Sequence, residues 1–254
     1  MESMVSRVAV VGATGRMGAL AQRLITDADD LELHAAIGSA DSLDGIEGAD
    51  IVFDVTVPAV SPDIVNAALD RRIPTLVGTS GWTAERIATL KRRVPDDSQP
   101  GVILVPNFSL GSALATAFAA LAAPWFEFIE IIESHHEGKV DSPSGTAIRT
   151  AELIGRARTE AGPVAAPHAD QRARGQQVAS VPIHSLRHPG ISARQEVVFG
   201  GVGETLRVLH DTHSDYSYEA GILLGLRAVR EARGVVVGLD KLLDLGLPEP
   251  GQPR

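Results

Sequence analysis

Short runs of β-branched residues alternate with longer stretches through the first hundred residues. The longer stretches have the pattern of helices. Strands that alternate with helices at this spacing predict βαβ units, and therefore a parallel sheet covered on both faces. The expected strands are residues 7–11, 32–37, 50–55, 75–77 and 102–105, and the expected helices are residues 16–27, 61–71 and 83–93.

The pattern changes after Pro106. A helix over residues 109–123 leads to a strand over 127–134 and to a helix that opens at Ser144. Strand-like runs then follow without helices between them, which predicts an antiparallel or mixed sheet in a second domain. These runs are residues 181–186, 193–199 and 204–210. A last helix over residues 216–233 is expected to return to the first sheet.

The expected fold is α/β: a Rossmann-like parallel-sheet domain and a smaller α+β domain with a mixed sheet. The first domain covers residues 1–106 and is completed by residues 216–254, and the second covers residues 107–215. The polar stretch 161–180 is expected to be a mobile loop. The chain end, residues 247–254, is expected to fray.

Composition narrows the classes of protein. The chain has 254 residues, 44% apolar and 22% charged, which suits one large or two modest globular domains. It has no cysteine, which excludes disulfides and thiolate sites and fits a reducing compartment. A net charge of −9 disfavours nucleic acid and anionic membranes as partners. Residues 135–215 are electrically balanced and hold seven of the eight histidines, which suits a small anionic ligand.

Residues 108–126 form a run of 19 residues without a charge, long enough to raise the question of a membrane span. The run is mostly alanine, contains a proline and has no basic residue at its ends, so we expect a buried or interfacial helix instead. The first seven residues lack the basic region and apolar core of a signal peptide. We therefore expect no membrane partner and a cytoplasmic location.

A glycine-rich turn follows the first expected strand and opens the first helix. Such a turn lets backbone N–H groups approach a pyrophosphate, and Arg16 adds a positive charge there. Its GxxGxxG spacing matches the dinucleotide fingerprint only in part, and a tight loop without a ligand is the alternative. The expected cofactor contacts are Gly12, Ala13, Thr14, Gly15, Arg16 and Met17.

Two further loops follow parallel strands. Ligands of open α/β sheets bind at the carboxyl ends of strands, where such loops gather, although both loops also fit ordinary turns. The expected cofactor contacts in them are Gly78, Thr79 and Ser80 in one loop and Val105, Pro106, Asn107 and Phe108 in the other.

The choice between NADH and NADPH stays open. Gly38 occupies the position where an acid would hold the adenosine ribose, and Asp41 and Asp44 lie a little beyond it. No lysine or arginine occurs between residues 24 and 70 to bind a 2′-phosphate.

His135, His136 and Lys139 follow the strand at 127–134, and residues 144–146 open a helix. Histidine can act as a general acid near neutral pH, and lysine with a helix N-terminus can hold a carboxylate. A solvated surface loop is one alternative. A metal site is another, although the order His-His-Glu is not the HExxH zinc signature.

These motifs resemble the 4-hydroxy-tetrahydrodipicolinate reductase family, also called dihydrodipicolinate reductase. The resemblance covers nearly the whole chain, including VVGATGRMG at residues 10–18, and its most specific match is ESHHEGKVDSPSGTA at residues 133–147. The family reduces a cyclic unsaturated imine dicarboxylate with NADH or NADPH in lysine and diaminopimelate synthesis. It usually forms homotetramers through the sheet of its substrate domain.

The resemblance implies a role for each domain and for the residues of the signature. His135 would be the proton donor and Lys139 the second catalytic group, with no metal. The first domain would bind the dinucleotide, and the second would bind substrate and form the oligomer. The expected substrate contacts are His136, Lys139, Ser144, Gly145 and Thr146. The chain departs from many relatives at Gly138, where they carry another histidine, and at Gly38, where they carry an acid.

Two other classes share some of these features. Another two-domain nicotinamide dehydrogenase, acting on an amino acid or a sugar, would share the glycine turn but has no need of the His-His-x-x-Lys segment. A non-catalytic dinucleotide sensor would have no need of His135 or Lys139.

Overall fold

The apolar runs of the sequence form strands of two separate sheets in the computed structural model, which describes residues 5–243 and 245. In chain order the strands are β1 (Ser6–Val11), β2 (Leu31–Ile37), β3 (Ile51–Asp54), β4 (Thr75–Val77), β5 (Val102–Leu104), β6 (Phe128–His135), β7 (Gln176–Val178), β8 (Val181–Arg187), β9 (Ala193–Gly201), β10 (Glu204–Thr212) and β11 (Val235–Val237). The α-helices are α1 (Arg16–Asp27), α2 (Ser61–Asp70), α3 (Ala84–Arg93), α4 (Leu110–Ala122), α5 (Gly145–Ala157) and α6 (Glu219–Val229). Short 3-10 helices occupy Leu43–Ile46, Ala123–Trp125, Arg172–Arg174, Asp215–Tyr218 and Leu239–Leu242.

The first compact unit contains residues 5–109 and 218–243. Its six strands form a parallel sheet in the order β11-β5-β4-β3-β1-β2. Helices α2 and α3 pack on one face, and α1 and α6 pack on the other. The predicted Rossmann-like sheet is confirmed. Because the strand order reverses between β1 and β3, the carboxyl ends of these two strands flank the crevice where such sheets bind ligands.

The second compact unit contains residues 110–217. Its sheet has the order β10-β9-β6-β8-β7, with β6 and β8 parallel and the other neighbours antiparallel. The predicted mixed sheet is therefore confirmed. Helices α4 and α5 pack together and bury alternate residues of the strands on one face of the sheet, among them Ile129, Ile131 and Phe199. Strand pleating turns the intervening residues to the opposite face.

The structure differs from the predictions in three places. The stretch 161–180, expected to be a loop, contains a 3-10 helix and β7. The parallel sheet gains β11, a three-residue strand that we did not predict. The last helix begins at Glu219, because residues 215–218 form a 3-10 helix before it. The expected frayed end at 247–254 lies outside the described residues.

The uncharged stretch at 108–126 contains α4, which buries the small residues Ser112, Ala115, Thr116 and Ala119. Phe118 and Leu121 of the same helix are exposed, so α4 is buried on one side, which agrees with the predicted buried or interfacial helix. Along the described part of the chain, no helix combines the length and apolar character that a membrane crossing requires.

Candidate functional site

The turn after β1 requires glycine at two positions. Gly12 has a φ of +92°, which side chains disfavour, and a Cβ there would lie 2.6 Å from the carbonyl oxygen of Val55. A Cβ on Gly18 would lie 2.2 Å from the carbonyl oxygen of Gly12. The turn therefore passes α1 and the end of β3 as closely as backbone atoms allow, as in a phosphate-binding turn.

Helix α1 begins with no side chain bound to its N-terminus. Gly15 is the cap residue, and the first turn contains no acid, which leaves the helix dipole available to an anion. The side-chain amide of Gln22, on α1, holds the turn in place by donating a hydrogen bond to the Ala13 carbonyl oxygen at 2.8 Å. Of the predicted contacts, Thr14, Gly15 and Arg16 are exposed, Gly12 and Met17 are half-buried, and Ala13 is buried. These residues fit the pyrophosphate of a dinucleotide.

Asp54, at the end of β3, joins the loops that follow β3 and β4. Its side chain is fully buried and accepts hydrogen bonds from Thr56 Oγ1 at 2.6 Å, from Thr79 Oγ1 at 3.0 Å and from Ser61 Oγ. Trp82 Nε1 donates to the Ser61 hydroxyl at 3.0 Å. Because the Thr79 hydroxyl donates its proton to Asp54, the side chain of Thr79 can only accept a hydrogen bond from a cofactor.

Phe108 has a packing role at the same edge of the sheet. Its ring meets Phe53 edge to face at 5.6 Å, and a Cβ on Gly78 would lie 2.5 Å from it. Asn107 Oδ1 accepts from the Ser109 N–H at 2.9 Å. Of the other predicted contacts in these loops, Ser80 and Pro106 are exposed and Val105 is buried.

A carboxylate lies at the end of β2 despite the glycine there. Asp41 folds back, and its Oδ2 accepts from the Gly38 N–H at 2.8 Å. A Cβ on Gly38 would lie 3.3 Å from that oxygen and 3.2 Å from Thr14 Cγ2. Asp44 instead pairs with Arg71 at 3.1 Å. Asp41 is therefore the acid that faces the strand end.

The second unit has its own buried carboxylate, Glu133, which lies on β6. Its Oε2 is 2.6 Å from His135 Nδ1, and Arg187 donates to both oxygens at 3.0 and 2.9 Å. The Ser144 N–H donates to Oε1 at 3.2 Å. Burial alone would raise the pKa of Glu133, but hydrogen bonds from His135, Arg187 and Ser185 lower this pKa to about 2. Glu133 is therefore ionised at neutral pH, and it ties the ends of β6 and β8 to the start of α5.

Lys139 is bound to a carboxylate of the chain itself. Its Nζ lies 2.5 Å from Asp141 Oδ1. Burial would raise the pKa of Asp141, but the hydrogen bond and charge of Lys139, with a hydrogen bond from the Gly145 N–H, hold it below its usual value. Lys139 thus already holds a carboxylate two residues along the chain, just before the start of α5, which is the arrangement expected for a carboxylate-binding site.

The remaining predicted substrate residues surround this pair. His136 is exposed, and its carbonyl oxygen accepts from the Lys139 N–H at 3.1 Å. The Ser144 hydroxyl caps α5 by accepting from the Ala147 N–H at 3.3 Å. Gly145 is exposed with open space beside it, and Thr146 is half-buried in the first turn.

Sequence reasoning missed Asp54, Glu133, Asp141 and Arg187. Asp54 and Glu133 carried a usable signal, since each is an acid within an apolar strand run, where only a paired or strongly hydrogen-bonded carboxylate is stable. Among the described residues, no three histidine or acidic side chains are grouped as metal ligands.

The parallel sheet with a glycine turn at its switch point defines the class of protein. It is the arrangement of a Rossmann-type dinucleotide-binding protein. Models of one family match both parts of the chain: "Dihydrodipicolinate reductase, N-terminus" over residues 6–108 and "Dihydrodipicolinate reductase, C-terminus" over residues 109–243. The chain therefore belongs to the dihydrodipicolinate reductase family.

Individual relatives agree with this membership. The chain is 57% identical to a 4-hydroxy-tetrahydrodipicolinate reductase of Clavibacter sepedonicus, over 95% of this chain and 87% of the relative. It is 46% identical to the Streptomyces griseus enzyme of the same name, over 94% and 98% of the two chains. A solved structure of dipicolinate-bound dihydrodipicolinate reductase from Paenisporosarcina sp. TG-14 has a TM-score of 0.77 at 29% identity, covering 94% of this chain and all of that one.

Proposed function

We propose that this protein reduces 4-hydroxy-tetrahydrodipicolinate to tetrahydrodipicolinate with NADH or NADPH, in lysine and diaminopimelate synthesis (EC 1.17.1.8). The observation that carries the proposal is the carboxylate held by Lys139, close in sequence to a histidine whose Nδ1 is bound to Glu133. That combination suits a dicarboxylate that must receive a proton. The substrate's two carboxylates match the dipicolinate named in the related structure.

In this proposal, different residues of the second unit bind the substrate and donate the proton. Lys139 and the first N–H groups of α5 bind a substrate carboxylate in the place that Asp141 now takes, with His136 and Thr146 beside them. Their positive charge offsets the charge of the substrate in a net-negative protein. His135, whose Nδ1 is bound to Glu133, donates a proton from Nε2 to the reduced substrate. When bound to the turn after β1, the nicotinamide cofactor supplies the hydride.

A paired assay tests this function. Purified protein should oxidise NADH or NADPH only when the cyclic substrate is generated in situ, which is followed by the loss of reduced-nicotinamide absorbance. A reaction mixture without the substrate-generating step is the control. Failure of both cofactors to turn over with the substrate present would falsify the proposed function.

We propose that Asp41 makes NADH the better of the two cofactors. A carboxylate at the end of β2 binds ribose hydroxyls and repels a 2′-phosphate. We expect Asp41→Ala to raise the ratio of kcat/KM for NADPH to that for NADH by roughly tenfold, about 1.4 kcal/mol. Asp44→Ala is the matched control, since Asp44 pairs with Arg71. An unchanged ratio in Asp41→Ala would remove Asp41 from this role.

We propose that the protein is a homotetramer assembled through the uncovered face of the second sheet. Among the described residues, α4 and α5 cover one face, and the opposite face exposes Phe128, Leu186 and Leu209 to 45, 44 and 48%. The same face carries paired charges, among them Arg207 with Glu196. Exposed apolar side chains with paired charges suit contact with a second copy. Sedimentation velocity measures the assembly directly. The cytoplasmic location stays a prediction.

A further inference from the structure

Glu133 is a fully buried, multiply hydrogen-bonded carboxylate that takes no direct part in the proposed reaction. Its side chain is 0% exposed and accepts hydrogen bonds from three directions: His135 on its own strand, Arg187 on β8 and the Ser144 N–H before α5. Glu133 and His135 are two residues apart on β6, so their side chains leave the same face of the sheet. Arg187 lies directly opposite His135 in the strand register.

The chemistry of these partners determines which nitrogen of His135 carries a proton. An ionised carboxylate only accepts hydrogen bonds, and arginine and a backbone N–H only donate them. Since His135 Nδ1 lies 2.6 Å from Glu133 Oε2, that nitrogen must be the donor. In the neutral ring the proton therefore sits on Nδ1, and Nε2 is the nitrogen that exchanges protons with a ligand.

We propose that Glu133 is a positioning residue: it sets the tautomer and the orientation of the His135 ring, and Arg187 holds Glu133 in place. This inference rests on the proposed role of His135 as proton donor. Arg187 also donates to the Asp141 carbonyl oxygen at 2.7 Å, so the same guanidinium anchors the loop that carries Lys139. One buried ion pair thereby fixes the proton donor and the carboxylate-binding loop relative to each other.

Glu133→Gln is the decisive change because it keeps the shape and replaces one oxygen with a donor. Arg187 donates to both carboxylate oxygens, so one of its N–H groups loses an acceptor whichever way the amide turns. The Ser144 N–H needs an oxygen at the Oε1 position, whereas His135 Nδ1 can accept as well as donate, so we expect the new NH₂ group to face His135 Nδ1 and to favour the proton on Nε2. Magic-angle-spinning NMR of protein labelled with ¹⁵N-histidine reads the tautomer without any substrate. His135→Gln assigns the signal by its disappearance.

Glu130→Gln is the matched control for the spectrum. Glu130 lies on the opposite face of β6 and binds His184 Nε2 at 2.7 Å and Arg174, so it forms a second glutamate–histidine–arginine group. This change should alter the His184 signals and leave the His135 signals in place. If the His135 signals shift in Glu130→Gln, the tautomer responds to any change in β6 and not to Glu133 in particular. That result would overturn the role proposed for Glu133.

We expect wild-type His135 to be protonated on Nδ1 in the neutral ring and Glu133→Gln to move the proton to Nε2. Turnover should fall roughly 10²-fold, with the loss in kcat and the cofactor dissociation constant within about twofold of wild type. The proposal is overturned if wild-type His135 carries its proton on Nε2, if the tautomer does not change, or if it inverts while kcat stays within about twofold.

Two arrangements keep these outcomes separable from other failures. The NMR measurement does not depend on turnover. If the wild-type protein is inactive on the proposed substrate, the proposed function is wrong, and the NMR spectra still test the tautomer assignment. If Glu133→Gln does not fold, Arg187→Lys provides a second variant. It retains the carboxylate and should keep the proton on Nδ1, and an inverted tautomer there would contradict the assignment.

Discussion

His135→Gln should lower turnover by roughly 10²–10⁴-fold, because the reduced substrate loses its proton donor. Glutamine cannot release a proton from its amide at neutral pH, although its length lets it reach Glu133. The dissociation constant for NADH should stay within about twofold of wild type, because the expected dinucleotide contacts lie in the first unit. Steady-state kinetics and a fluorescence titration with the cofactor measure the two quantities.

His188, which is paired with His135 through the backbone, provides the control for this prediction. His188 follows β8 and its side chain is exposed, while its backbone N–H donates to the His135 carbonyl oxygen at 3.2 Å. His188→Gln keeps this backbone bond, so it should leave turnover nearly unchanged. Combining His135→Gln with Glu133→Gln should slow the enzyme little beyond His135→Gln alone, since both changes act on one proton transfer. Turnover of His135→Gln within about twofold of wild type would remove His135 from the acid role.

The second large effect is expected at Gly18 and concerns stability as well as binding. In an ordinary helix, changing glycine to alanine stabilises by about 1 kcal/mol. Here the new methyl group would lie 2.2 Å from the Gly12 carbonyl oxygen and 2.7 Å from Ala13 Cα, both backbone atoms that no side-chain rotation can move aside. We expect Gly18→Ala to lower the free energy of unfolding by about 3 kcal/mol and to weaken NADH binding at least ~100-fold, as the turn is pushed away from α1.

Gly15→Ala is the matched control, because a Cβ at Gly15 would lie 3.4 Å from the Gly12 carbonyl oxygen, an ordinary contact. This change should lower the free energy of unfolding by less than about 1 kcal/mol. Urea denaturation and cofactor titration of the two variants separate the effects on stability and binding. If Gly18→Ala unfolds at the wild-type urea concentration, α1 does not pack on the turn in this way.

Much of the fold was readable from the chain because the signals are local. The strand runs and the glycine turn each lie within about ten residues, and their order fixes a parallel sheet followed by a mixed one. Strands β7 and β11 were not predicted, for different reasons. Strand β7 has three residues in a polar stretch and is stabilised by pairing with β8 rather than by its own pattern. Strand β11 did carry a local signal, three consecutive valines, which we did not use.

The site was readable only in part, because its partners are far apart in sequence. The motif at residues 133–147 pointed to His135 and Lys139. Arg187 follows Glu133 by 54 residues, and only the register of β6 with β8 brings the two together. The contacts of Asp41 could not be predicted either. Whether an acid four residues beyond a strand end points back to it depends on the turn conformation, which propensities do not determine.

The division of the first unit into two chain segments has a consequence for synthesis. Residues 110–217 are continuous, so their sheet and both its helices are complete once that segment has left the ribosome. The parallel sheet is completed later, because α6 and β11 follow the second unit in the chain. Until they are synthesised, β5 is an unpaired edge strand, and the surface that packs against Ile222 and Leu226 is exposed to water. A chain that ends before α6 therefore contains a complete second unit and an incomplete first unit. We expect such truncated chains to aggregate through the exposed apolar surface of the first unit.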